Sequence, residues 1–247
     1  ITKIGNDKNG EMALNLYKSL GMDIASIIQD KNHSTGVAGI MVNEKTGDNA
    51  INIIPGAAGT LTNDDIEKNL NFIANTDIFL TQLETPYDVT KYALKKAKEN
   101  KLTTILNPAP ACQINDDDFK LIDFFTPNET EAEFYLNKKI ETEKDIKIAS
   151  EEFLKKGIKN IVITLGEKGC YFANDKENFF MNAFKLKEPV VDTTGAGDAF
   201  NGALAVGLSK DLDIKEVLTF ANKVGAISTT KQGAAASMPS MEDLNNY

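Results

Sequence analysis

The chain has 247 residues with 36 acidic and 27 basic side chains, which gives a formal net charge of −9. Such a charge disfavours nucleic acid and anionic membrane surfaces as partners. One histidine and two cysteines argue against a multi-histidine metal site, Ser-His-Asp catalysis and a disulfide framework. The length suffices for one domain with its own core, and the sequence shows neither a signal peptide nor an apolar run that could span a bilayer. These features favour a protein of the reducing cytoplasm.

The first residues predict the end of a buried strand followed by a helix. Residues 1–4 form the strand pattern, and apolar side chains at Met12, Leu16 and Leu20 then recur at helical spacing until Gly21. The chain starts without Met and inside a predicted strand. We therefore expect it to be truncated at its N-terminus.

A hairpin is predicted at residues 35–55. Its strands are residues 34–43 and 49–54, joined by a turn over residues 44–48. Both strands have apolar side chains on both faces, so both faces are expected to be covered. The spacing alone is equally compatible with a lid over a substrate that also meets a partner subunit and with an internal pair of strands in the main sheet.

From Thr62 onward, helix and strand patterns alternate. Helices are predicted over residues 62–74, 89–100, 144–156 and 218–229, and strands over residues 78–82, 103–106, 123–126 and 160–165. Apolar strands that alternate with helices indicate an α/β fold with a mostly parallel sheet covered on both faces. Ligands of such folds bind at the carboxyl ends of the strands.

The segment 192–200, with the sequence DTTGAGDAF, is predicted to be a loop that opens a helix. Small residues at Gly195, Ala196 and Gly197 let backbone N–H groups converge at the positive end of the helix dipole, which forms a pocket for negative charge. Asp198 lies beside this pocket, where a carboxylate can take a proton from a hydroxyl nucleophile. A glycine turn with an ordinary helix-start aspartate is the alternative interpretation.

The sequence DTTGAGDAFNGAL resembles the C-terminal signature of the ribokinase-like (PfkB) carbohydrate kinases. The segment from Gly5, STGVA in the predicted hairpin, NPAPA at residues 107–111 and the Asn128-x-x-Glu131 pair are also similar to this family, up to about Pro239. The stretch with the family's sugar-binding Asp and Gly-Gly loop is missing. The resemblance implies one three-layer α/β/α domain over residues 1–247, truncated at its N-terminus, with a small β lid.

The resemblance also implies roles for the residues around the central loop. Asp198 would be the general base, with Gly195, Ala196 and Gly197 forming the anion hole, and Glu84 would contact the sugar together with Asp198. Asn128 and Glu131 would order Mg²⁺ through water, although an acidic first turn of a helix is ordinary without the resemblance.

A nucleotide site and a potassium site are implied in the same way. The ATP-binding residues would be Asn128, Thr164, Leu165, Gly166, Glu167, Lys168, Gly169, Gly197 and Asn222. The K⁺ ligands would be Asp192, Thr194, Ser228, Lys231, Gly233 and Ser237. Without the resemblance, residues 164–169 predict a plain hairpin turn, and neither a Walker A loop nor a G-x-G-x-x-G fingerprint occurs.

The expected function is that of an ATP-dependent kinase that converts D-ribose to D-ribose 5-phosphate with Mg²⁺ and K⁺. The lid would join two copies into a homodimer. Two alternatives stay open: a kinase of the same family for fructose, 2-keto-3-deoxygluconate or a nucleoside, and a nucleotide-binding fragment without turnover. The residues that would contact the sugar most directly lie upstream of Ile1.

Overall fold

The computed structural model describes residues 1–43 and 49–247, without the side chain of Asn49. The predicted hairpin turn at residues 44–48 lies outside the described residues. The described strands are β1 (Thr2–Gly5), β2 (Ile27–Asp30), β3 (Thr35–Val42), β4 (Asn49–Gly56), β5 (Ile78–Thr81), β6 (Thr103–Leu106), β7 (Phe124–Phe125), β8 (Asn160–Thr164), β9 (Cys170–Asn174) and β10 (Asn178–Met181). The described α-helices are α1 (Lys8–Ser19), α2 (Asn63–Glu67), α3 (Leu70–Ala74), α4 (Tyr87–Glu99), α5 (Glu129–Leu136), α6 (Glu143–Lys155), α7 (Ala196–Ser209), α8 (Ile214–Ser228) and α9 (Met241–Asn245).

The main sheet has six strands in the order β10-β9-β8-β7-β6-β5. Strands β5 to β8 are parallel to one another, while β9 and β10 are each antiparallel to the preceding strand. Successive strand residues face opposite layers, as the pleat requires. Phe124 packs with Leu204 and Leu218 of α7 and α8, whereas Phe125 packs with Phe153 of α6. The predicted three-layer α/β/α fold with a mostly parallel sheet is confirmed.

Two elements differ from the sequence prediction. The helix expected over residues 62–74 is divided into α2 and α3, because the side chain of Asn69 donates to the carbonyl of Asp65 and the backbone leaves helical geometry there. The predicted cap at Thr62 is confirmed by a reciprocal pair of hydrogen bonds with Asp65. Strand β1 pairs in parallel with β2, which the pattern did not predict, in a separate two-stranded sheet.

Strands β3 and β4 form their own antiparallel sheet, so the interpretation as an internal pair of the main sheet is wrong. The register places two apolar sets on opposite faces. We call one set the isoleucine face, formed by Ala38, Ile40, Val42, Ile51 and Ile53. The other set, the methionine face, contains Val37, Met41 and Ile54, with Gly39 and Asn52 between them.

The expectation that both hairpin faces are covered is not met within the described chain. The side chains of Ile40, Ile51 and Ile53 are 40 to 47% exposed, and those of Met41 and Ile54 reach 65 and 60%. Within the described residues, both faces of the hairpin are therefore open to a binding partner. Among the described helices, none is long and apolar enough to cross a membrane.

Candidate active site

The candidate site lies where the carboxyl ends of β5, β6 and β7 meet the first turn of α7. Gln82, Asn107 and Thr126 directly follow these three strands, and α7 packs against β5. Asp198 is in the first turn of α7, and its Oδ1 accepts a hydrogen bond of 2.7 Å from Nε2 of Gln82. The position agrees with the expectation for a parallel sheet.

The start of α7 has the backbone geometry that the small residues predict. Gly195 is the N-cap, with a left-handed φ of 77°, and a Cβ there would lie 3.0 Å from the methyl group of Met238. Ala196 N donates to the carbonyl of Thr193 at 3.2 Å, so this predicted anion-hole donor is engaged in a turn. The N–H groups of Gly197 and Asp198 precede the first intrahelical donor, Ala199 N, which bonds to the carbonyl of Gly195 at 2.9 Å, so they are available to an anion.

Two carboxyl groups of the predicted site come together. Asp198 and Glu84 both keep contact with solvent. Burial raises the pKa of Asp198, and the hydrogen bond from Gln82 opposes this effect. Burial also raises the pKa of Glu84, and the negative charge of Asp198 raises it further. The proximity of Glu84 to Asp198 was expected from the resemblance, and it places both side chains where one small polar molecule can reach them.

Asn128 and Glu131 form a capping box at the start of α5. Asn128 Oδ1 accepts from the N–H of Glu131, and Glu131 Oε2 accepts from the N–H of Asn128, both at 2.8 Å. Burial raises the pKa of Glu131, against the effect of the Asn128 N–H. Among the described ion pairs, none includes Glu131. A half-buried carboxylate without a basic partner, beside an amide oxygen, fits the oxygen donors that Mg²⁺ prefers.

The predicted nucleotide loop at residues 164–169 is a short 3₁₀ turn between antiparallel strands β8 and β9. Leu165 N donates to the carbonyl of Gly169 at 2.8 Å. Gly166 and Gly169 have positive φ values, and a Cβ on Gly169 would collide with the carbonyl oxygen of Met181. The loop starts beside Asn128, because Thr164 and Asn128 form a parallel bridge. The exposed side chains of Glu167 and Lys168 lie in the same turn.

Asn222 lies on α8, near the far end of this loop. Its side chain is buried, and its Nδ2 lies 3.4 Å from Sγ of Cys170 at the start of β9. The amide is therefore directed into the space between α8 and the sheet. Its predicted contact with adenine stays a prediction.

Three of the six predicted K⁺ ligands, Asp192, Thr194 and Gly233, are joined by hydrogen bonds where the loop before α7 meets residues 229–233. Asp192 is only 2% exposed, and its two oxygens accept from the N–H groups of Thr194 and Gly233 at 2.9 Å each. Its pKa is lowered first by the nearby Thr194 hydroxyl and then by these N–H groups. The Thr194 hydroxyl is nevertheless buried without a hydrogen bond of normal geometry. An unpaired hydroxyl beside a buried carboxylate fits a bound cation.

The other predicted ligands differ in how their side chains are used. The hydroxyls of Ser228 and Ser237 donate to the carbonyls of Gly225 and Ala234. Lys231 pairs through its Nζ with Asp243 at 3.0 Å, so only its backbone carbonyl remains for a cation.

Four polar residues without a predicted role link this site. Gln82 Nε2 also donates to Asn107 Oδ1 at 3.1 Å, and Asn107 Nδ2 donates to the carbonyl of Thr126 at 3.0 Å. Thr126 Oγ1 donates to Asn201 Oδ1 at 2.7 Å, and Asn201 Nδ2 donates to the carbonyl of Gly197 at 2.8 Å. We call Gln82, Asn107, Thr126 and Asn201 the polar chain. For Gln82, Asn107 and Thr126, the signal in the sequence is a polar residue directly after an apolar strand, whereas Asn201 lies within α7 and has no such signal.

Comparisons with known proteins place the chain in a family. The model of the pfkB family carbohydrate kinases matches residues 1–241. The chain is 38% identical to a ribokinase of Staphylococcus aureus over 246 residues, which is 99% of this chain and 80% of that protein. It is 32% identical to a deoxyribokinase of Salmonella typhi, over 100% of this chain and 80% of the relative. The solved structure of Arabidopsis thaliana ribokinase with ribose and ATP superimposes with a TM-score of 0.90 at 27% identity, covering 100% of this chain and 80% of that one. The chain belongs to the pfkB family of carbohydrate kinases.

Proposed function

We propose that this protein transfers the γ-phosphoryl group of ATP to the primary hydroxyl of D-ribose and forms D-ribose 5-phosphate. The observation that best supports this activity is the Asp198 carboxylate beside the available N–H groups at the start of α7, with Glu84 close by. The ribokinase relative at 38% identity and the ribose and ATP complex at 27% identity support the same substrates.

Phosphoryl transfer needs positioning and charge stabilisation more than covalent chemistry from the protein. In the proposed mechanism, Glu84 holds the sugar and Asp198 takes the proton from its primary hydroxyl. The N–H groups from Gly195 to Asp198, chiefly those of Gly197 and Asp198, stabilise the negative charge on the transferring phosphoryl group. The loop at residues 164–169, together with Asn128 and Asn222, contacts the nucleotide.

Two cations complete the proposed site. Asn128 and Glu131 would hold Mg²⁺ through water, and a bound Mg²⁺ would supply positive charge to the ATP phosphates. Asp192, with oxygens from residues 194, 228, 231, 233 and 237, would hold K⁺. The buried Asp192 carboxylate and the unpaired Thr194 hydroxyl support this second site. The K⁺ site would fix the loop that leads into the anion hole.

We also propose a homodimer joined through the β3–β4 hairpin, which acts as a lid on the sugar. Its two exposed apolar faces support this assembly, because patches of this kind mark interaction sites. The need for ATP and the two free cysteines, Cys112 and Cys170, suit the cytoplasm. The acidic net charge suits small-molecule substrates rather than nucleic acid or membranes.

The activity is tested by measuring ADP formation with a panel of sugars. D-Ribose is expected to give the highest kcat/KM. The panel includes 2-deoxy-D-ribose, because one relative at 32% identity is a deoxyribokinase, as well as fructose, 2-keto-3-deoxygluconate and nucleosides. ATP binding without ADP formation from any sugar would instead support a nucleotide-binding fragment.

The role of Asp198 is tested with Asp198→Asn. Loss of a positioned general base is expected to lower kcat about 10²–10⁴-fold while ATP affinity changes little. Asp64→Asn is the matched control, because Asp64 is also in the first turn of a helix but is exposed on α2. A rate above one tenth of the wild-type value in Asp198→Asn would show that Asp198 is not the base.

A further inference from the structure

The polar chain connects the carboxyl ends of three adjacent strands to the first turn of α7. Its members are Gln82, Asn107, Thr126 and Asn201, and the last three are between 1 and 8% exposed. It starts at the Asp198 carboxylate and ends at the carbonyl of Gly197, the residue before Asp198. The four side chains therefore hold both the carboxylate and the backbone of the same helical turn.

Backbone carbonyls fix the direction of every hydrogen bond in the polar chain. A carbonyl only accepts, so the Asn107 side chain must present its N–H to the carbonyl of Thr126 and its oxygen to Gln82. Gln82 must then present Nε2, and its two N–H groups reach Asn107 and Asp198. The orientation of the Gln82 amide thus follows from the network itself, even though amide oxygen and nitrogen atoms are easily exchanged in structures.

The orientation of the Asn201 amide, at the other end of the polar chain, is fixed in the same way. Asn201 must give its N–H to the carbonyl of Gly197, so its oxygen faces Thr126. The Thr126 hydroxyl is therefore the donor in the 2.7 Å contact, and its second contact, to the carbonyl of Leu106, is longer at 3.5 Å. Thr126 also donates its backbone N–H to Leu106 at 3.0 Å, which attaches the chain to β6.

We propose that Gln82 is a positioning residue for phosphoryl transfer. Its Nε2, oriented by Asn107 and the carbonyl of Thr126, holds Asp198 Oδ1 so that Oδ2 faces the sugar hydroxyl. The inference rests on the proposed role of Asp198 as the base. A neutral amide suits this position, because it favours the ionised carboxylate without adding a charge that would compete for the phosphates.

The charges around Asp198 explain why such a donor is needed. The carboxylate of Glu84, which follows β5, is repelled by that of Asp198, and this repulsion raises the pKa of Glu84. Asp198 has no basic partner among the described ion pairs, and Asp192 in the preceding loop uses its own oxygens on Thr194 and Gly233. Gln82 therefore supplies the hydrogen bond that opposes burial at Asp198.

The test measures the pKa of Asp198 directly and through the rate. Carboxyl-¹³C NMR on aspartate-labelled protein gives the titration of Asp198, assigned by the signal that Asp198→Asn removes. Gln82→Met keeps the chain length but removes both donors, and it should raise the pKa of Asp198 by roughly one unit, the size expected from losing a hydrogen bond to a charged group. Gln29→Met, at an exposed position on β2, is the matched control and should leave the pKa unchanged.

The pH profile of kcat/KM with ribose gives the second readout. A base with a higher pKa loses its ionised form at a higher pH, so the acid limb of Gln82→Met should move upward by the same amount. The deficit in kcat/KM relative to wild type should approach about tenfold on the acid limb and should shrink at pH 8.5, with KM for ATP unchanged. Gln82→Glu is the second variant, and it should move the acid limb further because two carboxylates then share the site.

The outcomes separate the inference from the proposed function. An unchanged Asp198 titration in Gln82→Met, or a deficit that is constant across pH, would overturn the positioning role. An active Asp198→Asn variant would overturn the base role, and the NMR titration would still decide whether Gln82 holds the carboxylate. A raised pKa together with a shifted acid limb supports both.

Discussion

Replacing Ile40 and Ile53 with lysine is expected to convert the proposed dimer to a monomer. Both residues belong to the isoleucine face of the β3–β4 hairpin, where the described members are all apolar. The methionine face is interrupted by Gly39 and Asn52, so it offers a less continuous surface to a partner. For this reason the isoleucine face is the expected contact between two copies, and the methionine face is expected to lie over the substrate.

The magnitude follows from the exposed fractions. Ile40 and Ile53 are each 40% exposed and Ile51 is 47% exposed. Full burial of an isoleucine is worth about 1.5–3 kcal/mol, so covering the exposed part of each contributes roughly 1 kcal/mol. Losing two isoleucines from each of two subunits removes about 4 kcal/mol, before the repulsion among four added lysines. Such a change weakens the dimer roughly a thousandfold.

The assay is light scattering coupled to gel filtration over a range of protein concentrations. Met41→Lys with Ile54→Lys is the control, because these residues are exposed on the methionine face of the same strands. This control should remain a dimer and instead raise KM for the sugar. A monomeric parent protein would refute the dimer, and a control that dissociates while Ile40→Lys with Ile53→Lys stays dimeric would refute the assignment of the two faces.

Two further predictions concern the cation site and the stability of the sheet. Replacing Na⁺ by K⁺ should raise the rate of sugar phosphorylation, because carbonyl oxygens around Asp192 suit a large, weakly hydrated ion; equal rates in both salts would contradict the site. Asp123→Ala should lower the free energy of unfolding by about 2–3 kcal/mol in urea melts, since it leaves Lys98 and Lys159 without their buried partner. The control Asp117→Ala, which removes an exposed ion pair, should lower it by less than about 0.5 kcal/mol. Burial alone would raise the pKa of Asp123, but Lys159, Lys98 and a backbone N–H hold this pKa below its usual value. The difference in free energy of unfolding between wild type and Asp123→Ala should therefore be complete above about pH 4 and should disappear as the pH falls further. A difference that grew towards acid pH would contradict this assignment.

The fold was largely predictable because its signals are local. Continuous apolar runs, such as residues 161–163, predict buried parallel strands, and the structure has β8 there with these residues fully buried. The N-terminal cap at Thr62 was likewise visible from residue types at fixed spacing. The break between α2 and α3 was not, because it depends on how one asparagine side chain turns back on its own backbone.

The candidate site was predictable only in part. The glycines before Asp198 and its place in the first turn of α7 follow from a short segment, which local rules describe well. The contact between Gln82 and Asp198 joins residues 116 positions apart, and that between Thr126 and Asn201 joins residues 75 apart. Such pairs are decided by strand order and helix packing, which no single segment determines. The hairpin shows the same limit, since its sequence fits both a lid and an internal strand pair.

The fixed direction of the polar chain has a consequence for proton movement. Amide groups do not exchange roles as proton donor and acceptor at neutral pH, and Gln82, Asn107 and Asn201 are each locked by a carbonyl or a neighbour. The polar chain is therefore an electrostatic support and not a proton wire into the protein interior. If Asp198 is the base, as proposed, the proton that it takes up would have to leave on the side where its side chain is exposed to solvent. Release of this proton would then require that the product leaves and the lid opens, so that water reaches Asp198. The base would therefore recover its ionised form only at the end of each turnover.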